Sequence, residues 1–237
     1  MAKIKKRGDV SPTQPEQEIM TIARMSSDFI AKYRKQFIVA AAAVATFLVI
    51  IAGFALIKSY QEQQASPLMA AAYGYYNPAS GAVADYGRAL ELFRHVQQKY
   101  PNTVSGAIAQ YYIGNCLVNL GRPEDALKEY GAFIKQYSGK KILAGFVYQR
   151  MGYVYEGMGK SEDARKYFQQ AESLLGPGVA TVELARLYEL AGNQPEAEKK
   201  YKEVFEKLMG TTWAMEASSK VQKIVPMPTP PSGKDEK

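Results

Sequence analysis

Few side chains in this sequence could carry out chemistry, and they do not converge. Its 237 residues include one histidine, His95, and one cysteine, Cys116. A histidine that shuttles protons needs a carboxylate or second base to tune it. None of the right kind accompanies His95, so a surface or packing role is expected. Cys116 stands among small residues between Gly114 and Leu117, where a cysteine behaves as a small hydrophobe. Alone, it makes neither an internal disulfide nor a cysteine-rich metal site. Glu124 with Asp125 and Glu162 with Asp163 are paired acids of the type that share proton transfer, but each pair opens a predicted helix, where the macrodipole favours negative charge. The motifs HExxH, GxxxxGKS/T and GxSxG are missing from the sequence. No catalytic, cofactor-binding or metal-ligating residue is therefore expected, and the inventory points away from an enzyme.

A repeat positions these groups. Ile113, Gly114, Leu117, Gly121, Ala126 and Tyr130 recur 38 residues later as Met151, Gly152, Tyr155, Gly159, Ala164 and Phe168. A third copy, Leu184, Ala185, Tyr188, Gly192, Ala197 and Tyr201, follows 33 residues further on. Upstream, Ala89, Phe93 and Pro101 repeat the second half of the unit. Gly114, Gly152 and Ala185 are small where one helix must cross another, and Ala126, Ala164 and Ala197 answer from the other side. Tyr130, Phe168 and Tyr201 are expected to fill the space between one helix pair and the next. Gly121, Gly159 and Gly192 suit the left-handed residue that ends a helix. Pro123, Ser161 and Pro195, each followed by acids, suit the starts of second helices. Helices are predicted near 62–76, 85–99, 105–119, 123–137, 142–157, 161–174, 178–191, 194–208 and 211–223. The last of them, starting near Thr211 and Thr212, would cap the open end of the array. Residues 226–237 are Pro-rich and charged and are expected to stay unfolded.

This pattern resembles the tetratricopeptide repeat. Three copies match its signature and a fourth matches over its second helix. The resemblance implies an all-α fold, an α-solenoid of about 3.5 repeats with a C-terminal capping helix. It also implies a concave surface, lined by the first helix of each pair, that binds another protein. On that surface the equivalent offsets place Tyr111, Asn115, Val118 and Asn119, then Gln149, Tyr153 and Glu156, then Val182, Arg186 and Glu189. The candidate partner-binding residues are Tyr111, Asn115, Asn119, Gln149, Tyr153, Glu156, Arg186 and Glu189. Some members of the family grip a C-terminal carboxylate with Lys, Asn and Arg. Only Asn115 and Arg150 resemble that set here; Tyr111, Val179 and Glu183 stand at its other positions.

Ahead of the repeats lies an uncharged run, Phe37 to Ile57, 21 residues long. As a helix it would rise about 31 Å, enough to cross a hydrocarbon core of about 30 Å. A cleaved secretory signal has an apolar core of about 7–15 residues behind a short basic start. This run is longer and follows 36 residues, which favours an uncleaved signal anchor. Those 36 residues carry eight Lys or Arg against four acids, whereas between Lys58 and Asn77 only Lys58 is basic. The positive-inside rule then puts the N-terminus in the cytoplasm. The net charge of +7 owes more than half to this segment, so nucleic-acid binding is not expected.

The predicted organisation is a cytoplasmic tail over 1–36, disordered to Pro15 and then an amphipathic helix from Glu16, a transmembrane helix over 37–57, a solenoid over 58–225 and a tail over 226–237. The stretch from Tyr100 to Tyr130 resembles periplasmic tetratricopeptide modules of outer-membrane assembly lipoproteins and of the Tol-Pal-linked cell-division coordinator. Those proteins are lipidated or fully exported. Cytoplasmic tail, single anchor and exported repeats together resemble the ancillary subunits of the Sec translocon. That resemblance implies a single-pass protein of the bacterial inner membrane whose periplasmic repeats scaffold a protein partner, near the translocon and periplasmic chaperones. The alternative is a structural subunit of an envelope assembly for secretion, outer-membrane biogenesis or division.

Overall fold

The computed structural model describes Met25, Phe29 and residues 31–224. The predicted helix starting at Glu16 falls largely outside these residues, and the tail over 226–237 falls wholly outside them. Every regular element among the described residues is helical: α1 (Arg34–Tyr76), a 3₁₀ turn (Ala79–Gly81), α2 (Tyr86–Lys99), α3 (Val104–Asn119), α4 (Pro123–Gln136), α5 (Lys141–Gly157), α6 (Ser161–Leu175), α7 (Val179–Leu190), α8 (Gln194–Lys207) and α9 (Thr212–Ile224). The chain divides into two compact units, Met1–Ile57 and Lys58–Lys237.

In the first unit α1 is apolar on every side. All twelve Phe, Ile, Val and Leu side chains from Phe37 to Ile57 are exposed, from 48% at Phe37 to 72% at Leu56. The one hydroxyl in the run, on Thr46, donates to the Ala42 carbonyl at 2.8 Å, so it is satisfied within the helix. The helix is long and apolar enough to cross a membrane.

The residue pattern separates the apolar run from a helix near 62–76, with Pro67 as the expected disturbance. They are instead one element, Arg34–Tyr76, with Pro67 inside it. Lys58, Gln61, Glu62, Gln63 and Gln64 are all good helix formers. Proline removes only the bond to the carbonyl four residues back, and that residue, Gln63, is exposed, as is Pro67 itself.

In the second unit the helices pack as antiparallel pairs, α3 with α4, α5 with α6 and α7 with α8. Ala65 and Ala72 of α1 join Ala89, Phe93 and Val96 of α2 in the core that begins the stack. Ala217 of α9 packs with Ala185, Tyr201 and Val204 and closes the other end. Helix starts are fixed by side-chain caps: Asp85 accepts from the Arg88 amide at 2.9 Å, and Thr103 from the Gly106 amide at 2.9 Å. Gly121, Gly159 and Gly192 have φ of 71°, 74° and 75°. Each closes its helix with paired bonds, as in Arg122 N–H to Leu117 O at 2.9 Å and Gly121 N–H to Val118 O at 3.0 Å.

Tyr130 shares its core cluster with Val147, Met151 and Val154 of the next pair, and Phe168 shares its own with Ala180, Leu184 and Leu187 of the pair after that; both also press on the first helix of their own pair. Their rings lie on Gly114 and Gly152 of their own pair, where an added Cβ would sit 2.7 Å from Cδ1 of Tyr130 or Cε1 of Phe168. In these two pairs the ring on one helix takes up the space that only a glycine leaves on the other. A further tie runs from α1: the Glu62 carboxylate accepts from the amides of Val104 and Ser105 at 2.7 and 3.1 Å, and from the Ser105 hydroxyl. An anion there meets the positive end of α3.

Candidate functional site

The first helices α3, α5 and α7 carry the candidate residues on one face, and polar side chains link each helix to the next. Arg150 Nε of α5 donates to the Tyr111 hydroxyl of α3 at 3.2 Å. Across the next gap the Tyr153 hydroxyl of α5 donates to Glu183 of α7 at 3.0 Å. Arg186 of α7 bridges its neighbour Glu183 and Glu156 of α5, at 2.7 and 2.6 Å. At the far end Glu189 accepts from Lys220 of α9 at 2.9 Å and from the Tyr201 hydroxyl at 3.0 Å. Tyr111 is thus tied to α5, Tyr153 and Glu156 to Glu183 and Arg186 of α7, and Glu189 to Tyr201 of α8 and Lys220 of α9.

Asn115 differs from the expected groove contact. It is only 4% exposed, and its Oδ1 accepts from the buried Tyr130 hydroxyl at 2.6 Å. Its Nδ2 has no hydrogen-bond partner among the described residues. Asn119 is exposed and donates back to the Asn115 carbonyl at 2.9 Å. Gln149 is half-buried one turn before Tyr153. Val182 is 7% exposed and packs inward with Ala185 and Tyr201, so it lies off the groove surface. The histidine and cysteine fall where packing puts them: His95 is exposed on α2, and Cys116 is fully buried, burial pushing its thiol up to about 12.

A pocket of about 140 Å³ opens between α1, α3 and α5, lined by Tyr76, Asn115, Asn119, Tyr130, Arg150 and Tyr153 with two valines. Nothing in the repeat signature points to Tyr76, because α1 carries no copy of it. Its ring packs edge-on against Tyr112 at 5.0 Å, which holds it at the pocket rim. The only hint in the sequence is the cluster Tyr73, Tyr75 and Tyr76 just before the turn. Burial raises the phenols of Tyr76 and Tyr130, and burial together with Glu183 pushes Tyr153 up to about 12. All three are neutral near pH 7. Burial works against the Arg150 charge, but the Tyr111 hydrogen bond and the neighbouring phenols outweigh it and hold the guanidinium above its usual value. The pocket is thus a neutral aromatic wall around one cation and one unmatched amide donor.

Comparison with known proteins agrees with this architecture. Residues 108–139 and 147–173 match the tetratricopeptide repeat family, a match that covers the greater part of α3 with α4 and of α5 with α6. A tetratricopeptide repeat protein from Parabacteroides merdae is similar over 68% of this chain and 60% of its own, with a TM-score of 0.53 at 18% identity. A putative kinesin light chain with nearly identical TPR-like repeats from Podosopora anserina is similar over 68% of this chain and 85% of its own, with a TM-score of 0.52 at 14% identity. These likenesses concern the fold. The chain spans 60% of the length of the Parabacteroides protein. No curated protein matches the sequence.

Proposed function

We propose that this chain, two of whose helix pairs are tetratricopeptide repeats, is a membrane-anchored scaffold that holds a protein partner in its groove in the bacterial periplasm, near the Sec translocon and its chaperones. The observation that carries the anchor is the exposure of every large apolar side chain from Phe37 to Ile57. A helix apolar on all sides needs either a protein core or lipid around it. No such core covers it among the described residues, where the span is 0% buried. The eight basic residues before the run and the single one soon after it orient the helix with its N-terminus in the cytoplasm.

The groove supports the scaffold part of the reading. Tyr and Arg combine apolar area with directional hydrogen bonding, and both are enriched where proteins bind proteins. Tyr111, Arg150, Tyr153 and Arg186 lie together on the faces of successive first helices. Two measurements test the proposal. Protease added to intact spheroplasts should digest the repeats and spare the segment before Phe37; protected repeats refute the orientation. Co-purification from mildly solubilised membranes should recover an envelope protein with the full chain and lose it when residues 58–225 are deleted. Recovery that ignores the deletion refutes the scaffold.

A further inference from the structure

The last helices of the stack expose apolar side chains where a solenoid ends in a polar cap. α9 takes the place of a first helix. Its Lys220 reaches Glu189 of α7 at 2.9 Å, much as Arg150 of α5 reaches Tyr111 of α3, and Thr211 accepts from the Ala214 amide at 3.3 Å, as Thr103 does from the Gly106 amide. In α3, α5 and α7 the residue four after the capping position is Ala107, Ala144 or Val182, only 0%, 4% and 7% exposed. A second helix covers it, as Ala197, Tyr201 and Val204 of α8 cover Val182. The same position in α9 is Met215, 67% exposed. The sequence that follows α9 is unsuited to a covering helix, since residues 226–231 hold four prolines.

One repeat earlier the same cleft is complete. Ile134 and Ser138 of α4 and Ala144 of α5 wall it, and Gln170, Ser173 and Leu174 of α6 form its third side. Phe205 and Met209 follow Ala197 at the spacing that separates Ile134 and Ser138 from Ala126, and Met215 answers Ala144. These three wall a cleft of about 360 Å³, against about 350 Å³ for its counterpart, but its lining comes from α8, α9 and the turn between them, with no third helix. The missing side is thus a helix face, the i, i+3, i+4 set that α6 supplies. Phenylalanine and two methionines replace isoleucine, serine and alanine on the walls, so the face that fits here is more apolar than that of α6. Glu206, beside Phe205, is exposed and has no ion-pair partner among the described residues, whereas Lys202 one turn earlier already pairs with Glu198.

We propose that this end cleft receives an amphipathic helix of the protein partner, which lies where the second helix of a following pair would lie; this step rests on the scaffold reading. Its apolar residues at i, i+3 and i+4 meet Phe205, Met209 and Met215, and the unbranched methionines adapt to their shape. A lysine or arginine beside that apolar stripe faces Glu206. The partner helix continues the packing that already joins each pair of this chain to the next. A second copy of the chain is a poorer occupant, because a symmetric contact through this patch sets Glu206 against Glu206 at its rim.

The test uses the full chain in nanodiscs of zwitterionic lipid and a fluorescent peptide of 15 residues, the length of α6. The peptide is acetylated and amidated, built of alanine and glutamine, with leucines at i, i+3, i+4 and i+7 and lysines beside them. The expected result is saturable binding that Met215→Glu weakens by about tenfold or more, because it puts an unpaired charge into the cleft. Peptide adsorbed to lipid is common to both chains, so the difference reports the cleft. Glu206→Lys should turn the preference toward a peptide with glutamates in place of the lysines. Both residues are exposed, and far-UV circular dichroism confirms that the variants fold. Absence of binding, equal binding to the unaltered chain and Met215→Glu, or equal binding of a peptide whose leucines are scattered around the helix overturns the proposal. Binding that appears only after residues 226–237 are deleted assigns the cleft to the chain's own tail and overturns it too. So does a dimer in sedimentation that Met215→Glu dissociates, which assigns the cleft to a second copy. If the peptide fails while an envelope protein still co-purifies through residues 58–225, the scaffold stands and the cleft does not. If co-purification fails as well, the scaffold falls with it.

Discussion

Gly114→Ala and Gly131→Ala place the same methyl on the two helices of one repeat and should shift stability in opposite directions. At Gly114 the new Cβ would stand 2.7 Å from Cδ1 and Cζ of Tyr130 and closer still to Cε1. Ordinary carbon contacts lie near 3.5–4.0 Å, so ring and helix must part by about 1 Å or more. Tyr130 cannot swing aside cheaply, because it is fully buried and its hydroxyl is bound to Asn115 at 2.6 Å. Overpacking of this kind costs about 1–3 kcal/mol, and the tightness of the fit argues for the upper end. Alanine returns roughly 1 kcal/mol through its helix propensity, leaving a net loss of about 2 kcal/mol. At Gly131, in the middle of α4, nothing lies within 4 Å of the added Cβ, so the propensity gain of roughly 1 kcal/mol acts alone. With a urea dependence of about 2 kcal/mol per molar, the midpoints should move by about −1 M for Gly114→Ala and +0.5 M for Gly131→Ala. The assay is a urea titration of the full chain in detergent, followed by far-UV circular dichroism. Adding Tyr130→Leu to Gly114→Ala should cost less than the two single losses combined, because the smaller side chain relieves the clash. A Gly114→Ala midpoint at or above that of the unaltered chain would refute the claim that helix crossing is set by this ring on this glycine.

Three further outcomes follow from the same geometry. Gly152→Ala should be milder than Gly114→Ala, because its three nearest ring atoms in Phe168 lie at 2.7, 2.8 and 2.9 Å and that ring has no hydroxyl to pin it; equal losses in the same titration would contradict this. Glu62→Ala removes the acceptor of the Val104 and Ser105 amides and of the Ser105 hydroxyl, which should cost about 1–3 kcal/mol; hydrogen exchange should speed up at those two amides and stay unchanged in α7. The Cys116 thiol, fully buried and raised to about 12, should resist a thiol reagent at pH 8 until urea unfolds the chain. A folded-state pKa above the unfolded value means that its contribution is complete below about pH 9 and is lost as the pH rises through about 12, so alkaline titration of a Cys116→Ala variant should show a flatter decline over that window.

Helix boundaries were legible in the sequence to within one or two residues over α2 to α9, because each copy of the repeat states its own punctuation. Gly121 ends α3, Pro123 begins α4, and the next copy says the same again at Gly159 and Ser161. Where the punctuation is missing, the helix over 62–76 was legible but its start was not. The stretch from Lys58 to Tyr76 carries no copy of the signature, so nothing in the repeat announces its continuity with the apolar run or the position of Tyr76 at the pocket rim.

The groove was legible only as a set of positions. Packing sites keep their character from copy to copy: Gly114, Gly152 and Ala185 stay small, and Tyr130, Phe168 and Tyr201 stay aromatic. The change from glycine to Ala185 in the third copy shows that Tyr201 is seated differently, and its hydroxyl indeed reaches Glu189 at 3.0 Å in place of an asparagine like Asn115. Groove sites do not keep their character. Asn115 becomes Tyr153 and then Arg186, and Arg150 corresponds to Tyr112 in the copy before it and Glu183 in the copy after. Asn115 is tied to the Tyr130 hydroxyl and so still serves packing, whereas the exposed Arg150 is under no such demand. The repeat therefore identifies the packing positions by what recurs, while the character of the first-helix face lies in what does not: one guanidinium, beside an amide that has no partner among the described residues.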